Sequence, residues 1–123
     1  KNEIILYKSL KTNSIEGCGV ERLHEIAKRI NSLDFFSDDY DDFSTTIFSE
    51  IVATKLDKEG RFLIPDELKN YARIKDEVAF LGQGHFFQLW EPLASLDYTE
   101  KSRKRLLKEK KSLRMMLTQK VVK

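Results

Sequence analysis

The sequence contains one cysteine, two prolines and five glycines in 123 residues. The lone Cys18 cannot form an internal disulfide, which favours a reducing compartment. No stretch approaches the roughly 20 consecutive apolar residues of a membrane-spanning helix, and no basic start leads into the apolar run of a signal peptide. These absences predict a cytoplasmic protein with neither a membrane segment nor a disulfide framework.

Side chains suited to metal binding or catalysis are also sparse. Cys18, His24 and His85 lack further partners at zinc spacing. The aspartate-rich run 38–42 lacks the glycine and the terminal glutamate of a calcium-binding loop. Capping of a helix start explains these aspartates better. We therefore expect a protein that is not an enzyme and that has no metal, no cofactor and no small-molecule substrate.

The net charge is only +2, but the charges are distributed unevenly. Residues 34–50 are acidic, whereas residues 97–123 are rich in lysine and arginine. A lysine-rich helix is more often a solvated surface than a DNA-binding element, and the leucines of this tail would equally pack on a neighbouring subunit. The basic tail is therefore not assigned to DNA.

Hydrophobic periodicity predicts an α+β fold. We expect strands at 3–7 and 14–18, followed by a helix from Val20 and a second helix capped by Ser37. Later elements are strands at 51–56 and 61–64, a short helix after Pro65, a hairpin of 77–81 with 86–90, and a helix over 97–118. The second helix should bury four residues: Tyr40, Phe43, Ile47 and Phe48.

One run of residues is more specific than these patterns. Asp57-Lys58-Glu59-Gly60-Arg61, followed by Phe62-Leu63-Ile64-Pro65, resembles the D-x-x-G-R signature of the SpoVT-AbrB superfamily, with its two hydrophobic positions and proline. The stretches 77–84 and 87–90 are similar to the second repeat of the MraZ family. Order and spacing fit this resemblance from Ile51 to Pro92.

The resemblance implies a small AbrB-like β-barrel of the swapped-hairpin type, with a two-helix insertion and a C-terminal helix. On this interpretation residues 1–18 are a remnant of a first AbrB-like motif and residues 19–49 are the helical insertion. Residues 50–93 form the second SpoVT-AbrB motif, and residues 94–123 form the basic C-terminal helix. The chain would then lack the first motif's basic turn, so that closure of the barrel requires other strands.

MraZ resemblance also implies a function. Members of the family are transcriptional regulators of the division and cell-wall gene cluster, bind G-rich direct repeats in double-stranded promoter DNA, and assemble into ring-shaped homo-oligomers. We therefore expect a cytoplasmic, nucleoid-associated, DNA-binding protein.

The basic turn provides the candidate DNA-binding residues. Arginine donates two hydrogen bonds to guanine O6 and N7, so Arg61 is expected to read bases, while Lys55 and Lys58 neutralise phosphates. Asp57 and Gly60 should form the turn itself. The alternative is a plain surface turn in which Arg61 merely pairs with Asp57.

Two other functions remain open at this point. AbrB-like barrels also occur in antitoxins, whose tails neutralise a toxin, and residues 97–123 are a candidate for such a tail. Against this, antitoxin tails are expected to be acidic and disordered. The other alternative is a protein-interaction module whose only role is to associate with other subunits.

Overall fold

The computed structural model describes residues 2–109, which form an α+β fold. Its strands are β1 (Glu3–Lys8), β2 (Ile15–Cys18), β3 (Val52–Lys55), β4 (Ala79–Gly82) and β5 (Phe87–Trp90). Its helices are α1 (Val20–Asn31), α2 (Asp38–Phe43), α3 (Asp66–Ala72) and α4 (Pro92–Lys108), and a π-helical segment, Ser44–Phe48, continues α2. Residues 2–91 form one compact unit and α4 belongs to a second.

The strands form one antiparallel sheet in the order β3-β1-β2-β5-β4. β1 with β2 and β4 with β5 are local hairpins, and pairing of β2 with β5 joins them. Within the described residues β3 and β4 each have one neighbouring strand. The sheet is therefore open, and the expectation of a closed barrel is wrong for this part of the chain.

The predicted strand at 61–64 is also wrong, and its residues show why. Phe62 and Ile64 are half-buried against the sheet's main core, while Leu63 between them is 84% exposed. This alternation is the pattern of a strand with one buried face. Here it belongs to an extended segment that lies over the sheet without joining its hydrogen-bond ladder.

Each face of the sheet has its own core. On one face Leu6, Ile15 and Leu89 pack against Leu68 and Ala72 of α3. Leu6, Ile15 and Leu89 are completely buried, and full burial of such a side chain contributes about 1.5–3 kcal/mol.

The opposite face carries Ile5, Tyr7 and Cys18, with Leu23 and Ile26 of α1 packed on them. Leu23 and Ile26 are three positions apart, so they share the side of α1 that faces the sheet. Cys18 is buried, and this burial raises the pKa of its thiol.

Helix α2 is capped as predicted, but α2 and the π-helical segment that continues it are less buried than predicted. The Ser37 hydroxyl accepts a hydrogen bond from the Tyr40 backbone N–H at 3.1 Å. Ile47 is buried, whereas Phe43 and Phe48 are 42% and 36% exposed. The prediction that both phenylalanines are buried is therefore wrong, because the π-helical turn breaks the α-helical spacing on which it rested.

Helix α4 also differs in its start. It begins at Pro92, five residues before the predicted start at Asp97, because proline is compatible with a helix's first turn. The predicted end near Thr118 lies outside the described residues. Two ion pairs stabilise the exposed side of α4. They join residues four positions apart, Lys101 with Asp97 and Lys104 with Glu100.

Candidate nucleic-acid interface

The turn between β3 and the segment at 62–64 is closed by backbone hydrogen bonds. The Asp57 N–H donates to the Arg61 carbonyl at 2.8 Å, and the Gly60 N–H donates to the Asp57 carbonyl at 3.1 Å. Gly60 has a φ of 81°, a left-handed conformation that glycine adopts without steric cost. Asp57 and Gly60 therefore occupy the structural positions of a tight, well-defined turn.

The Asp57 carboxylate lies at the centre of this turn. Its Oδ1 accepts hydrogen bonds from the backbone N–H groups of Glu59 and Arg61, at 2.9 and 2.8 Å. Its Oδ2 accepts from Arg61 Nε at 2.9 Å. The backbone hydrogen bond from Arg61 is the largest of several contacts that lower the pKa of Asp57, because each stabilises the charged form.

The three candidate cations, Lys55, Lys58 and Arg61, all lie exposed at or beside this turn. The Arg61 side chain is 75% exposed and also pairs with Glu59, with Nη2 at 3.0 Å from Oε1. The unbound turn thus shows the pairing of Arg61 with Asp57 that the alternative interpretation expected. Exposed ion pairs of this kind contribute about 0–1 kcal/mol, so a stronger acceptor can displace them.

Aromatic packing anchors the chain directly after Arg61. The Phe62 ring centroid lies 6.4 Å from that of Phe80 and 6.3 Å from that of Phe87, and Phe80 and Phe87 are 5.6 Å apart. Aromatic pairs at such separations contribute about 0.5–1.5 kcal/mol beyond burial. The base of the turn is therefore fixed to β4 and β5, while its tip is exposed.

Strand register places several loops at the same end of the sheet as this turn. Lys55 pairs with Glu3 at the start of β1, and Phe87 pairs with Gly17 near the end of β2. The β4–β5 hairpin turn and the start of α1 consequently lie at this end too. They carry His85 and Arg22, which no sequence pattern connects to a function, since more than 60 residues separate them along the chain.

The sheet also carries a polar network that no sequence pattern predicted. Gln88 is buried, and its Oε1 accepts hydrogen bonds from Trp90 Nε1 at 2.9 Å and Gln83 Nε2 at 3.0 Å. Gln88 Nε2 faces Glu16 at 3.5 Å, and Ser9 donates to the same Glu16 carboxylate oxygen at 3.0 Å. These hydrogen bonds join the side chains of the network to one another, so we assign the network a structural role.

Residues 2–109 contain neither a candidate membrane-spanning helix nor a candidate metal site. No helix there combines the length and apolar character needed to cross a membrane. In the same part of the chain, no three His, Cys, Asp or Glu side chains are grouped so that they could hold a metal ion.

Comparison with known proteins identifies the family. Residues 47–118 match the sequence profile of the family described as "MraZ protein, putative antitoxin-like". A protein of Rickettsia bellii named transcriptional regulator MraZ is 38% identical over 113 residues, which cover 92% of this chain and 75% of the relative. Proteins of the same name from Rickettsia typhi (38% identity, 74% of this chain, 61% of the relative) and Rickettsia canadensis (32%, 92% and 76%) also match. The chain therefore belongs to the MraZ family of proteins.

Proposed function

We propose that this protein is a DNA-binding transcriptional regulator that reads promoter DNA through the turn Asp57–Arg61. The relatives' shared name, transcriptional regulator MraZ, supports the regulatory role. As the family resemblance implies, its targets are G-rich direct repeats upstream of the division and cell-wall gene cluster, and it acts in the cytoplasm at the nucleoid.

One observation carries this proposal: the tip of the turn is exposed, while its base is fixed to the sheet. Backbone hydrogen bonds and the Asp57 carboxylate fix its shape, and the Phe62 ring anchors its end. Little conformational entropy is therefore lost when the tip enters a groove. Gly60 adds no side chain at the tip, and nothing lies within 4 Å of where a Cβ would be.

Arg61 is proposed to read guanine. Its guanidinium already forms two hydrogen bonds with carboxylate oxygens, one from Nε and one from Nη2. The O6 and N7 atoms of guanine offer a similar pair of acceptors. Binding would exchange weak, exposed ion pairs for base contacts, so that Asp57 and Glu59 lower the affinity of each turn without preventing contact.

Lys55 and Lys58 are proposed to contact phosphates. Both are exposed, and an ammonium group neutralises a phosphate without requiring a particular base. Asp57 and Glu59 balance the charge of the turn itself, so a single subunit is expected to bind DNA weakly.

Assembly would compensate for this weak contact. β3 and β4 are open edges within the described residues, and Phe80 on β4 is 58% exposed. We propose that strands of another copy or motif complete a swapped-hairpin barrel here, with residues 1–18 and 50–93 as its AbrB-like parts and 19–49 as an insertion. In a ring, linked turns on tandem repeats gain affinity through effective concentration.

A protein-interaction role is the second candidate, and the family description "antitoxin-like" favours it. Helix α4 exposes Leu106 and Leu107, by 55% and 71%. These leucines would bind a partner protein or another subunit. Co-purification of a small partner protein, together with DNA binding that requires it, would favour this function over the first.

The decisive experiment compares Arg61 variants on two duplexes, one with tandem G-rich repeats and one scrambled. Arg61→Ala should reduce affinity for the repeats about 5- to 150-fold, because a bidentate base contact is worth about 1–3 kcal/mol. Arg61→Lys keeps the charge but loses the paired donors, so it should lose most of the preference for the repeats. Lys58→Ala should weaken binding to both duplexes equally.

Lys75→Ala is the matched control, since Lys75 is exposed and lies outside the turn. Its affinity for both duplexes should equal that of the unaltered protein. If Arg61→Ala prefers the repeats over the scrambled duplex as strongly as the unaltered protein does, Arg61 does not read the bases. Absence of DNA binding by the protein under any salt condition would exclude the regulator proposal and leave the interaction role.

A further inference from the structure

A second basic site lies beside α1, away from the Asp57–Arg61 turn. A cleft of about 360 Å³ opens between α1 and the β4–β5 hairpin turn. Its lining residues are Arg22, Glu25, Lys28, Arg29 and His85. Residues 22, 25 and 29 are three to four positions apart on α1, so their side chains share one face of the helix.

Arg22 is the least exposed cation of the cleft and is held in place from two sides. Its guanidinium carbon lies 5.6 Å from the centroid of the Phe86 ring, and its Nη1 lies 3.3 Å from Glu25 Oε1. Its Nε is buried without a hydrogen-bond partner among the described residues. Because Nε is buried, the exposed part of the guanidinium, about a fifth of the side chain's surface, is what Arg22 presents to the cleft as a fixed cation.

Positive charge predominates in this cleft. Arg22, Lys28 and Arg29 carry fixed positive charges, and Glu25 is the one carboxylate among the lining residues. Lys28 and Arg29 are exposed, so their side chains can move to a ligand. Arginine and lysine together suit a phosphate group, since guanidinium binds its oxygens in pairs and ammonium adds charge.

The cleft lies at the same end of the sheet as the Asp57–Arg61 turn. Phe87, next to the hairpin turn, pairs with Gly17, while Lys55 pairs with Glu3. The two sites approach the sheet from opposite faces: Phe62, next to Arg61, packs in the core on the α3 side, whereas Arg22 lies against Phe86 on the α1 side. The shared end of the sheet is what places both near the same stretch of DNA, and the second arm of the test below decides whether DNA supplies the phosphate.

We propose that this cleft binds a phosphate group, supplied by the DNA backbone when the Asp57–Arg61 turn lies in the groove. Arg22 is the fixed donor, and Lys28 and Arg29 close on the anion from the last turns of α1. The DNA source rests on the proposed function, whereas phosphate binding itself does not. A free phosphate-bearing molecule is the other possible source of the same group.

The first arm of the test uses inorganic phosphate and no DNA. Phosphate is titrated at constant ionic strength while backbone amide resonances are recorded by NMR. Saturable shifts should occur in α1 and at His85, and they should disappear in the double variant Lys28→Gln/Arg29→Gln. Both side chains are exposed, so this variant should fold normally, as its thermal unfolding will verify.

The matched control is Lys11→Gln/Lys75→Gln. It removes the same charge from two exposed positions that adjoin the opposite end of the sheet, in the β1–β2 connection and before β4. Its phosphate shifts should equal those of the unaltered protein. Shifts of equal size in both double variants would show general attraction of anions and overturn the proposal.

The second arm measures binding of a scrambled duplex over a series of salt concentrations. Loss of one or two phosphate contacts per subunit should make the logarithmic salt slope shallower by about 1–2 in Lys28→Gln/Arg29→Gln. The control variant should keep the full slope. Phosphate shifts with an unchanged slope would assign the site to a free phosphate-bearing ligand.

Failure of the two proposals is distinguishable. A protein that shows the phosphate shifts but binds no DNA would contradict the proposed function and keep the phosphate site. A protein that binds the repeats through Arg61, with no phosphate shifts and no change of slope in the double variant, would retain the function and overturn the cleft.

Discussion

Gly17 lies opposite Phe87 in the sheet, and replacing it with alanine tests whether the Phe87 ring occupies the space above its Cα. A Cβ at position 17 would approach three ring atoms, Cζ, Cε1 and Cε2, closer than 3.0 Å. The ring would have to move, which would disturb its contacts with Phe62 and Phe80. The same contacts hold the base of the basic turn.

The magnitude follows from two opposing effects. Replacing glycine with alanine within a strand stabilises the fold by about 0.5–1 kcal/mol, because alanine loses less conformational freedom than glycine on folding. Overpacking costs about 1–3 kcal/mol, and a disturbed aromatic pair costs about 0.5–1.5 kcal/mol. We expect Gly17→Ala to be net destabilising by about 2 kcal/mol, which for a domain of this size lowers Tm by about 6–10 °C.

Gly82 provides the matched control, since it pairs with Phe87 from the other side and has nothing within 4 Å of the point where a Cβ would lie. Gly82→Ala should leave Tm unchanged or raise it slightly. Urea and thermal unfolding of both variants, and of Gly17→Ala combined with Phe87→Leu, form the test. An equal effect of the two alanines, or no recovery in the double variant, would refute steric conflict with the ring.

Three further predictions concern the turn and the helix ends. The lowered pKa of Asp57 means that its contribution to stability is present above its unfolded pKa and is lost as pH falls through the folded pKa; NMR titration of the carboxyl carbon should show this, and an ordinary pKa would contradict it. Ser37→Ala removes the cap hydrogen bond to Tyr40 and should destabilise the fold by about 1 kcal/mol in urea unfolding, whereas no change would show that the cap is unimportant. Arg73 ends α3 with φ of 59°, so Arg73→Gly should stabilise by about 0.5–1 kcal/mol, and a lower Tm would show that the arginine side chain outweighs its backbone strain.

Local elements were predictable because their signals lie within a few residues. Helix α1 follows from apolar residues at helical spacing, and the start of α2 follows from Ser37 and the acids after it. The Asp57–Arg61 turn follows from its own five residues. The segment 62–64 was mispredicted because alternating burial is necessary for a strand but does not decide whether a neighbouring strand is available.

Arrangement in space was less predictable. The cleft at Arg22 and His85 depends on β5 pairing with β2, which no local pattern specifies. Sequence reasoning identified Arg61 and Asp57 as possible partners, but it did not identify Glu59 as a second one. The family resemblance predicted a closed barrel, whereas the described residues form a five-stranded sheet with two open edges.

The strand order has a consequence for the time course of folding. The hairpins β1–β2 and β4–β5 each form from neighbouring residues, but the middle of the sheet closes only when β5 pairs with β2, as Gln88 does with Glu16. Such distant contacts must overcome a loop-closure entropy before they stabilise anything. During synthesis β2 should therefore keep an unpaired edge until Trp90 has left the ribosome, even after β3 has paired with β1 and α3 has covered Leu6 and Ile15. A chaperone that shields short apolar strands would act in that interval.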